Sequence, residues 1–390
     1  MTLCLSTVPV VGYSISSFDA VFKPRRLNHL LIHVRAVRHH SGLEPVQDFG
    51  GYNTLTVGMS NPQDYTVGWI CAIEPEHVAA QEFLDDEHEG PERVSEHDSN
   101  VYTLGKIGKH NVVVAVLPNG EYGLAAAGNV ANDMLHTFPN IRIGLMVGIG
   151  GAAPSPDHDI RLGDIVVSSP HNGQGGVFQY DFGKEIQGQG YKYTRLLNEP
   201  PTVLNTAVAG LKTKYRRRGH QLEEAIKSIL DKNLRLREKY KRPDPHADRL
   251  YQASHTHPRD KNKVNCSEAC GNDPSNLVHR QERIEDKDIP KIHYGVIASG
   301  NTLMKNAEER DRLAKEKDVL CFEMEAAGLR KDFPCLVIRG ICDYSDSHKN
   351  EEWQGYAAMA AAAYAKDLLR QIAPSRVEAE RKISNVLSSS

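Results

Sequence analysis

Long apolar runs, frequent aromatic residues and a strong net charge are all missing from this sequence. No run approaches the roughly 20 apolar residues that a membrane-spanning helix needs; the longest candidate, Tyr356 to Tyr364, is alanine-rich and short. The formal net charge of −3 over 390 residues gives no electrostatic reason to expect nucleic acid or a membrane as partner. Because 40% of the residues are hydrophobic and 25% charged, we expect a soluble globular protein.

The pattern of a disulfide framework and a signal sequence are also missing. The seven cysteines are scattered, and several lie in apolar runs, as Cys71 does between Gly68 and Ile73. This distribution indicates reduced core cysteines and a cytoplasmic location. Residues 1–64 lack both the positive start and apolar block of a secretory signal and any sustained periodicity. They predict a poorly ordered extension, with an organelle-targeting segment in the basic stretch 20–43 as the alternative.

Six apolar, β-branched runs alternate with helical patterns along the rest of the chain. The runs are Thr66–Ile73, Asn111–Leu117, Ile141–Ile149, Asp164–Ser168, Ile292–Ala298 and Cys335–Cys342. The helical patterns are Glu76–Leu84, Leu124–Thr137, Ala307–Glu316, Glu323–Lys331 and Tyr356–Ile372. Continuous apolar runs are typical of strands covered by helices on both faces, so the alternation predicts an α/β fold with a largely parallel sheet. Ligands in such folds bind at the carboxyl ends of the strands.

A basic and polar insertion at about 205–290 interrupts this alternation within a domain predicted to span 65–374, ahead of a polar tail at 375–390. Apolar residues recur along one side of Leu211–Arg242, which predicts a single basic helix that ends before Pro243. Further on, Cys266-x-x-x-Cys270 follows His255 and His257, and this set suggests zinc as one alternative. The cysteine spacing is unusual for zinc and no second pair completes it, so we predict no metal ligand.

Carboxylates and glycines follow the predicted strands. Glu76 follows the first strand, where it either serves a site or only stabilises the start of a helix. The glycine-rich segment 148–152 follows the third strand and suits either a ligand or a tight turn. Asp343 ends the sixth strand as a site residue or a cap. Glu323 and Glu325, if helical, would point about 200° apart, so only one of them would face a site.

Together these segments resemble the nucleoside phosphorylase/nucleosidase superfamily over about Tyr65 to Ile372. The segments that carry the resemblance are Asp64–Ile73, Leu117–Gly123, Gln179–Lys184, Ala298–Asn301 and Cys342–Asn350, and most specifically Glu323-Met-Glu-Ala326 paired with Arg339-Gly-Ile-Cys-Asp343. The chain looks most similar to fungal versions that precede nucleotide-binding and repeat domains in immune-receptor-like proteins. The resemblance implies a mixed, partly barrel-like sheet flanked by helices in three layers. It also implies cleavage of the bond between a purine and its ribose.

The resemblance also assigns roles to individual residues. Asp343 protonates, or hydrogen-bonds to, the purine N7, which an acid must neutralise because a purine leaves poorly as an anion. Glu325 receives the ribose hydroxyls and offsets the positive charge of an oxocarbenium-like sugar. Glu76 orients an attacking water, although Glu74 lies only two residues away. The remaining predicted substrate contacts are Met324, Leu303, Met304, Gly150, Gly151 and Asn301.

Water is the predicted second reactant. Related phosphorylases carry an arginine and a serine around the glycine turn, where this chain has Met146 and Ile149. Glu74 and Glu76 stand where a phosphate-binding arginine is expected, and carboxylates repel an anion. A phosphate-dependent phosphorylase is the first alternative. A catalytically idle module that senses ligands or oligomerises is the second.

The expected partner is a small purine nucleoside or adenine nucleotide, with adenine compounds favoured and no cofactor. The resemblance further implies a homo-oligomer. Basic residues of the insertion either reach over the site to bind a polyphosphate or lie on the edge of the domain; they are Lys212, Lys214, Arg216, Arg217, Arg218, Arg280 and Arg283.

Overall fold

All six apolar runs form strands in the computed structural model. It describes residues 59–387 apart from 171–174, 189, 194–199, 262–263, 265, 272, 284–288 and 330–332. The strands are β1 (Val67–Cys71), β2 (Asp86–His88), β3 (Tyr102–Ile107), β4 (His110–Val116), β5 (Ile143–Ala152), β6 (Ile165–Ser168), β7 (Val177–Gln179), β8 (Gly183–Ile186), β9 (Gly190–Tyr193), β10 (Ile292–Ser299), β11 (Val319–Glu323) and β12 (Cys335–Asp343). The predicted N-terminal extension lies outside the described residues as far as residue 58.

The helices follow the predicted pattern in four of five cases. They are α1 (Glu74–Glu82), α2 (Leu124–Thr137), α3 (Thr202–Arg218), α4 (Leu222–Lys232), α5 (Arg237–Tyr240), α6 (Cys266–Ala269), α7 (Ala307–Lys317), α8 (Ala326–Leu329), α9 (Gln354–Gln371), α10 (Pro374–Ala379) and α11 (Ile383–Leu387). None of the described helices is both long and apolar enough to cross a bilayer.

The central sheet is mixed and partly closed, which confirms the predicted α/β architecture. Its strand order is β11-β10-β6-β12-β5-β1-β4-β3-β2, with β7 also paired to β10. The pairs β1/β4, β1/β5, β5/β12 and β6/β10 are parallel, whereas β6/β12 and β3/β4 are antiparallel. The far end of the ten-residue β5 reaches β11, where Gly151 pairs with Phe322. This pairing closes β11, β10, β6, β12 and β5 into a barrel-like ring.

Helix α9 is the central packing element of one side of the sheet. It contacts β12 and β5 on the sheet and α1, α3 and α4 beside it. The approach to β12 is closest at Gly340, where a Cβ atom would lie 1.8 Å from the carbonyl oxygen of Ala357. A second group, α2 and α8, packs together and contacts β1 and β7. Helices therefore flank the sheet as predicted.

The predicted single helix over Leu211–Arg242 is wrong. Helix α3 ends at Arg218, because Gly219 adopts the left-handed φ of 68°. Helix α4 then begins at Leu222. Both helices bury apolar residues in the main core, including Leu211 and Ile226. Tyr215 donates a hydrogen bond to Asp367 of α9 at 2.8 Å. The first half of the insertion is thus packed against the sheet-covering helix.

A second correction concerns the predicted helix Glu323–Lys331. Residues 319–323 form strand β11, and the described helix after it covers only Ala326–Leu329. The apolar segment Val319–Phe322 is short and closely follows α7. Its hydrophobic pattern was therefore too short to distinguish a strand from the helices on either side. At the other end of the chain, α10 and α11 bury Val377 and Ile383 within the stretch expected to be a polar tail.

Candidate active site

Glu76 is buried where β1 passes into α1. Its Oε2 accepts hydrogen bonds from the backbone N–H groups of Ala72 (2.5 Å) and Ile73 (3.2 Å). Its Oε1 accepts one from Ile149 of β5 at 2.8 Å. Glu74, by contrast, has a side chain 77% exposed and lies 3.6 Å from Lys239. Glu76 is therefore the glutamate of this segment that faces the carboxyl ends of the strands.

Arg339, a residue that the predicted site omits, holds this carboxylate together with two others. Its guanidinium is fully buried on β12. It forms a short ion pair with Glu323, and it lies 3.5 Å from Glu325 Oε2 and 4.0 Å from Glu76 Oε1. The sequence did carry a signal for this arrangement, because a charged residue inside a strand buried on both faces requires a charged or hydrogen-bonding partner.

The predicted opposite orientation of Glu323 and Glu325 is wrong. Glu323 ends a strand and Glu325 lies in the turn after it, so the helical angle between them does not apply. The Glu323 carboxylate accepts hydrogen bonds from the N–H groups of Glu325 (3.1 Å) and Ala326 (3.0 Å). Both carboxylates face Arg339.

Burial governs the protonation of this cluster. Burial raises the pKa of Glu325, Arg339 opposes this shift and the nearby charges of Glu323 and Glu76 add to it, so that the pKa is about 7. Burial also raises the pKa of Glu76, against the opposing effects of Arg339 and of three backbone N–H donors. A carboxyl group with a pKa near neutrality is poised to exchange protons at physiological pH, a property common in catalytic sites.

Asp343 lies at the end of β12, after a shift in the register of its pairing with β5. It is only 4% exposed. Its Oδ1 accepts a hydrogen bond from the N–H of Ser345 at 2.9 Å, and its Oδ2 lies 2.9 Å from the ammonium of Lys349. Lys349 was also not predicted as a site residue. Proximity to Asp343 raises the pKa of Lys349 against the opposing effect of burial, so the lysine retains its proton.

The predicted glycines leave room for these side chains. A Cβ atom on Gly151 would lie 2.4 Å from Asp343 Oδ1, and one on Gly148 would lie 2.3 Å from Glu76 Oε1. A Cβ atom on Gly150 would lie 3.0 Å from the carbonyl oxygen of Phe322 in β11. Glycine in this segment thus permits two carboxylates and a neighbouring strand to approach the end of β5.

The other predicted contacts surround Glu325 to different degrees. The N–H of Gly123, which has a φ of 91°, lies 3.4 Å from Glu325 Oε1. Asn301 accepts a hydrogen bond from Leu124 at 3.0 Å and so holds the start of α2 beside it. Met324 is half-buried next to Glu325. Met304 is buried in a second apolar cluster with Tyr180 and Phe322, whereas Leu303 is 43% exposed.

Lys212, Arg216 and Arg283 lie away from these carboxylates, whereas Arg280 donates a 2.6 Å hydrogen bond to the hydroxyl of Tyr344, the residue after Asp343. Lys212 and Arg216 line a cavity with His293 and Tyr294, at the amino end of β10. The candidate site lies at the carboxyl ends of the strands, and an eight-residue strand is about 25 Å long. Arg283 forms two 2.7 Å hydrogen bonds with Asp164. These placements favour the alternative in which the basic helix lies on the edge of the domain.

The chain is similar in sequence to several known proteins. The chain is 47% identical over 320 residues to a nucleotide-binding leucine-rich repeat-like protein of Hyaloscypha variabilis, covering 82% of this chain and 30% of that protein. Over 85 residues it is 35% identical to the ATP nucleosidase Cap17 of Escherichia coli, and this match covers 20% of this chain and 17% of that protein. Over 86 residues it is 30% identical to a 5′-methylthioadenosine/S-adenosylhomocysteine nucleosidase of Mycobacterium bovis, and this match covers 21% of this chain and 34% of that protein. No protein-family model matches.

Two of these three relatives are named as nucleosidases. This similarity to two nucleosidases supports the resemblance of the chain to the nucleoside phosphorylase/nucleosidase superfamily. It spans less than about a third of the length of the fungal relative and a similar or smaller share of the two nucleosidases.

Proposed function

We propose that this chain hydrolyses the N-glycosidic bond of purine nucleosides or adenine nucleotides. The observation that carries the proposal is the burial of Glu76 and Glu325 around Arg339, next to Asp343, at one edge of the sheet. Such a set offers a base, an anion for the sugar and an acid for the leaving group.

Each group has a distinct part in the proposed reaction. A water oxygen attacks the anomeric carbon as the bond to the purine nitrogen breaks, and the bonding electrons pass to the purine. The Asp343–Lys349 pair supplies the proton that N7 takes up. Glu76 accepts the proton of the attacking water, while anionic Glu325 holds the ribose hydroxyls and stabilises the positive sugar. Three backbone N–H groups orient Glu76 for this step.

The charges of the cluster favour water over phosphate. Arg339 already faces three glutamates and Lys349 already pairs with Asp343. Among the described side chains of this cluster, each of these two cations thus already faces a carboxylate. A phosphate ion at this site would therefore be repelled by the carboxylates and would find no unpaired cation among these described side chains to bind it. Phosphorolysis would thus need a cation from another source.

Adenine compounds are the proposed substrate class. The names of the bacterial relatives refer to ATP and to methylthioadenosine or adenosylhomocysteine, all of which carry adenine. The positions of Lys212, Arg216 and Arg283 provide no polyphosphate site over the carboxylates. We therefore place the selectivity at the base and the ribose.

A substrate panel tests the proposal. The full chain is incubated with adenosine, inosine, methylthioadenosine, AMP and ATP, with and without phosphate, and free base is quantified. We expect free adenine without phosphate. A strict phosphate requirement would instead identify a phosphorylase, and no base from any of the substrates would identify an idle module.

The remaining proposals concern the setting of the protein. Six cysteines are free in the part of the chain that the structure describes, which suits a reducing, cytoplasmic compartment. Exposed Tyr122 and Leu303, beside the Gly123 and Asn301 segments, suit cover by another copy of the chain in a homo-oligomer. Light scattering of the purified chain would test the oligomeric state, and a monomer would contradict it.

A further inference from the structure

Two cysteines and a histidine of the polar half of the insertion converge beside the candidate active site. Cys266 Sγ lies 3.4 Å, and Cys270 Sγ 3.2 Å, from Nδ1 of His257. The ligand atoms of the three residues all lie within 4.8 Å of one another. Tetrahedral zinc, with bonds of about 2.3 Å to sulfur and 2.0–2.1 Å to nitrogen, needs ligand atoms roughly 3.3–3.8 Å apart. The two observed sulfur–nitrogen separations, 3.2 and 3.4 Å, lie close to the short end of that range.

The spacing that argued against zinc in the sequence has a local structural reason. Cys266 begins helix α6, and the N–H of Cys270 bonds to the carbonyl oxygen of Cys266 at 3.0 Å. Residues four apart on a helical turn lie on one face, so a three-residue gap brings both thiols together. The usual gap of two residues between cysteine ligands occurs where both lie in a tight loop, whereas Cys266 lies in a helix.

His348, from the segment between β12 and α9, supplies a second and independent observation. Its ring is only 7% exposed, yet neither ring nitrogen has a hydrogen-bond partner among the described residues. Its ligand atom lies within 4.8 Å of those of Cys270 and His255. Its Nδ1 lies 3.6 Å from Asp346 Oδ1. A histidine that binds a metal through one nitrogen commonly faces a carboxylate with the other.

We propose that His257, Cys266 and Cys270 bind one structural zinc ion, with His348, which shares a second group of ligand atoms with Cys270, as the fourth ligand. Buried polar atoms without partners are costly and rare, and a metal would satisfy the His348 ring together with the two thiols. His255 stacks on His348, with their ring planes 7° apart, and in this assignment it packs against the ligand without binding the ion.

The zinc ion would join two parts of the chain that are about 80 residues apart in sequence. It would anchor the loop-rich second half of the insertion to the segment that carries Lys349, the partner of Asp343. A cavity of about 180 Å³, lined by Asp343, Tyr251, Cys266 and His348 among others, lies between the two sites. Metal content does not depend on glycosidic-bond cleavage, so the zinc proposal stands apart from the proposed function.

The test is the metal content of the full chain, measured by plasma mass spectrometry after dialysis against zinc and then against metal-free buffer. We expect one zinc per chain, and a loss of at least about nine-tenths of it in Cys266→Ser, Cys270→Ser and His348→Ala. His255→Ala, Cys335→Ser and His279→Gln, the last an exposed histidine of the same insertion, should keep the metal.

Cobalt substitution of the unmodified chain avoids any dependence on how the variants fold. Tetrahedral cobalt bound to two thiolates should give thiolate charge-transfer and intense visible bands. Absence of zinc together with absence of these bands would overturn the proposal, as would a Cys266–Cys270 disulfide in the purified chain. Retention of zinc by His348→Ala together with its loss from His255→Ala would overturn the assignment of the fourth ligand.

Discussion

At the scale of single residues, the candidate site depends on a buried arginine with an excess of carboxylates around it. Arg339 faces Glu76, Glu323 and Glu325, and the excess negative charge is part of what raises the pKa of Glu325. The predicted residues Asp343, Glu325 and Glu76 lie at one edge of the sheet, but the sequence could not show that one cation organises them. Residues 76, 323, 325 and 339 come together only in the folded structure, and no periodic pattern in the sequence links them.

Asp343→Asn should lower kcat/KM for purine substrates by about 10²–10⁴-fold while the fold is retained, because the amide breaks the Asp343–Lys349 ion pair that supplies the proton to N7. The variant is compared with Asp157→Asn, which changes an exposed aspartate in the same way. Base release measures activity and circular dichroism measures folding. Full activity in Asp343→Asn would mean that the acid lies elsewhere.

Arg339→Met should destabilise the protein by about 3–5 kcal/mol, because it leaves three buried glutamates without their shared cation. The free energy of unfolding in urea is the measurement. Arg376→Met, at an exposed arginine of α10, should change it by no more than about 0.5 kcal/mol. Equal stabilities of the two variants would show that Arg339 does not hold the carboxylates.

The pH dependence of kcat/KM should reflect Glu325. Its pKa, raised by burial to about 7, means that the side chain becomes neutral as the pH falls through 7. Because the proposed role needs the anion, activity should fall on the acid side. Glu323→Gln removes a charge that raises this pKa, so the acid limb should move to lower pH, whereas exposed Glu308→Gln should leave it in place. An unchanged limb in Glu323→Gln would exclude Glu325 as the titrating group.

At the scale of elements, the sequence predicted the strands that form continuous apolar runs and missed β2, β3, β7, β8, β9 and β11. The six predicted strands are continuous apolar runs bounded by turn residues. Strand β11 is five residues long and follows α7 directly, and β7 to β9 are three or four residues each. Ring closure through β5 and β11 was implied only by the family resemblance, because it arises from pairing between residues about 170 positions apart.

Gly340→Ala should separate α9 from β12 and destabilise the fold by at least about 1–3 kcal/mol, since the added methyl meets the backbone of Ala357. Gly210→Ala is the matched control on α3, where the added methyl has open space. There, the same change should be neutral or stabilising by up to about 1 kcal/mol. Thermal unfolding of both variants is the measurement, and equal midpoints would contradict this packing account.

At the scale of the whole molecule, the structure of the insertion could not be predicted from its separate sequence segments. Its basic helix was predicted as a feature of the surface or the site, and it became part of the packing around α9 because Gly219 breaks it into two core-facing helices. Its histidines and cysteines appeared unrelated by spacing, yet His257, Cys266 and Cys270 meet within the insertion, and the segment after β12 adds His348 beside Cys270. Neither outcome follows from local pattern.

The most direct test of the account identifies the sugar product. The full chain acts on its best adenine substrate in phosphate-free buffer, phosphate is then titrated in, and both base and sugar are quantified. We predict equal amounts of adenine and free sugar, at a rate that phosphate does not increase. Formation of a sugar 1-phosphate, with base release only when phosphate is present, would contradict water as the second reactant.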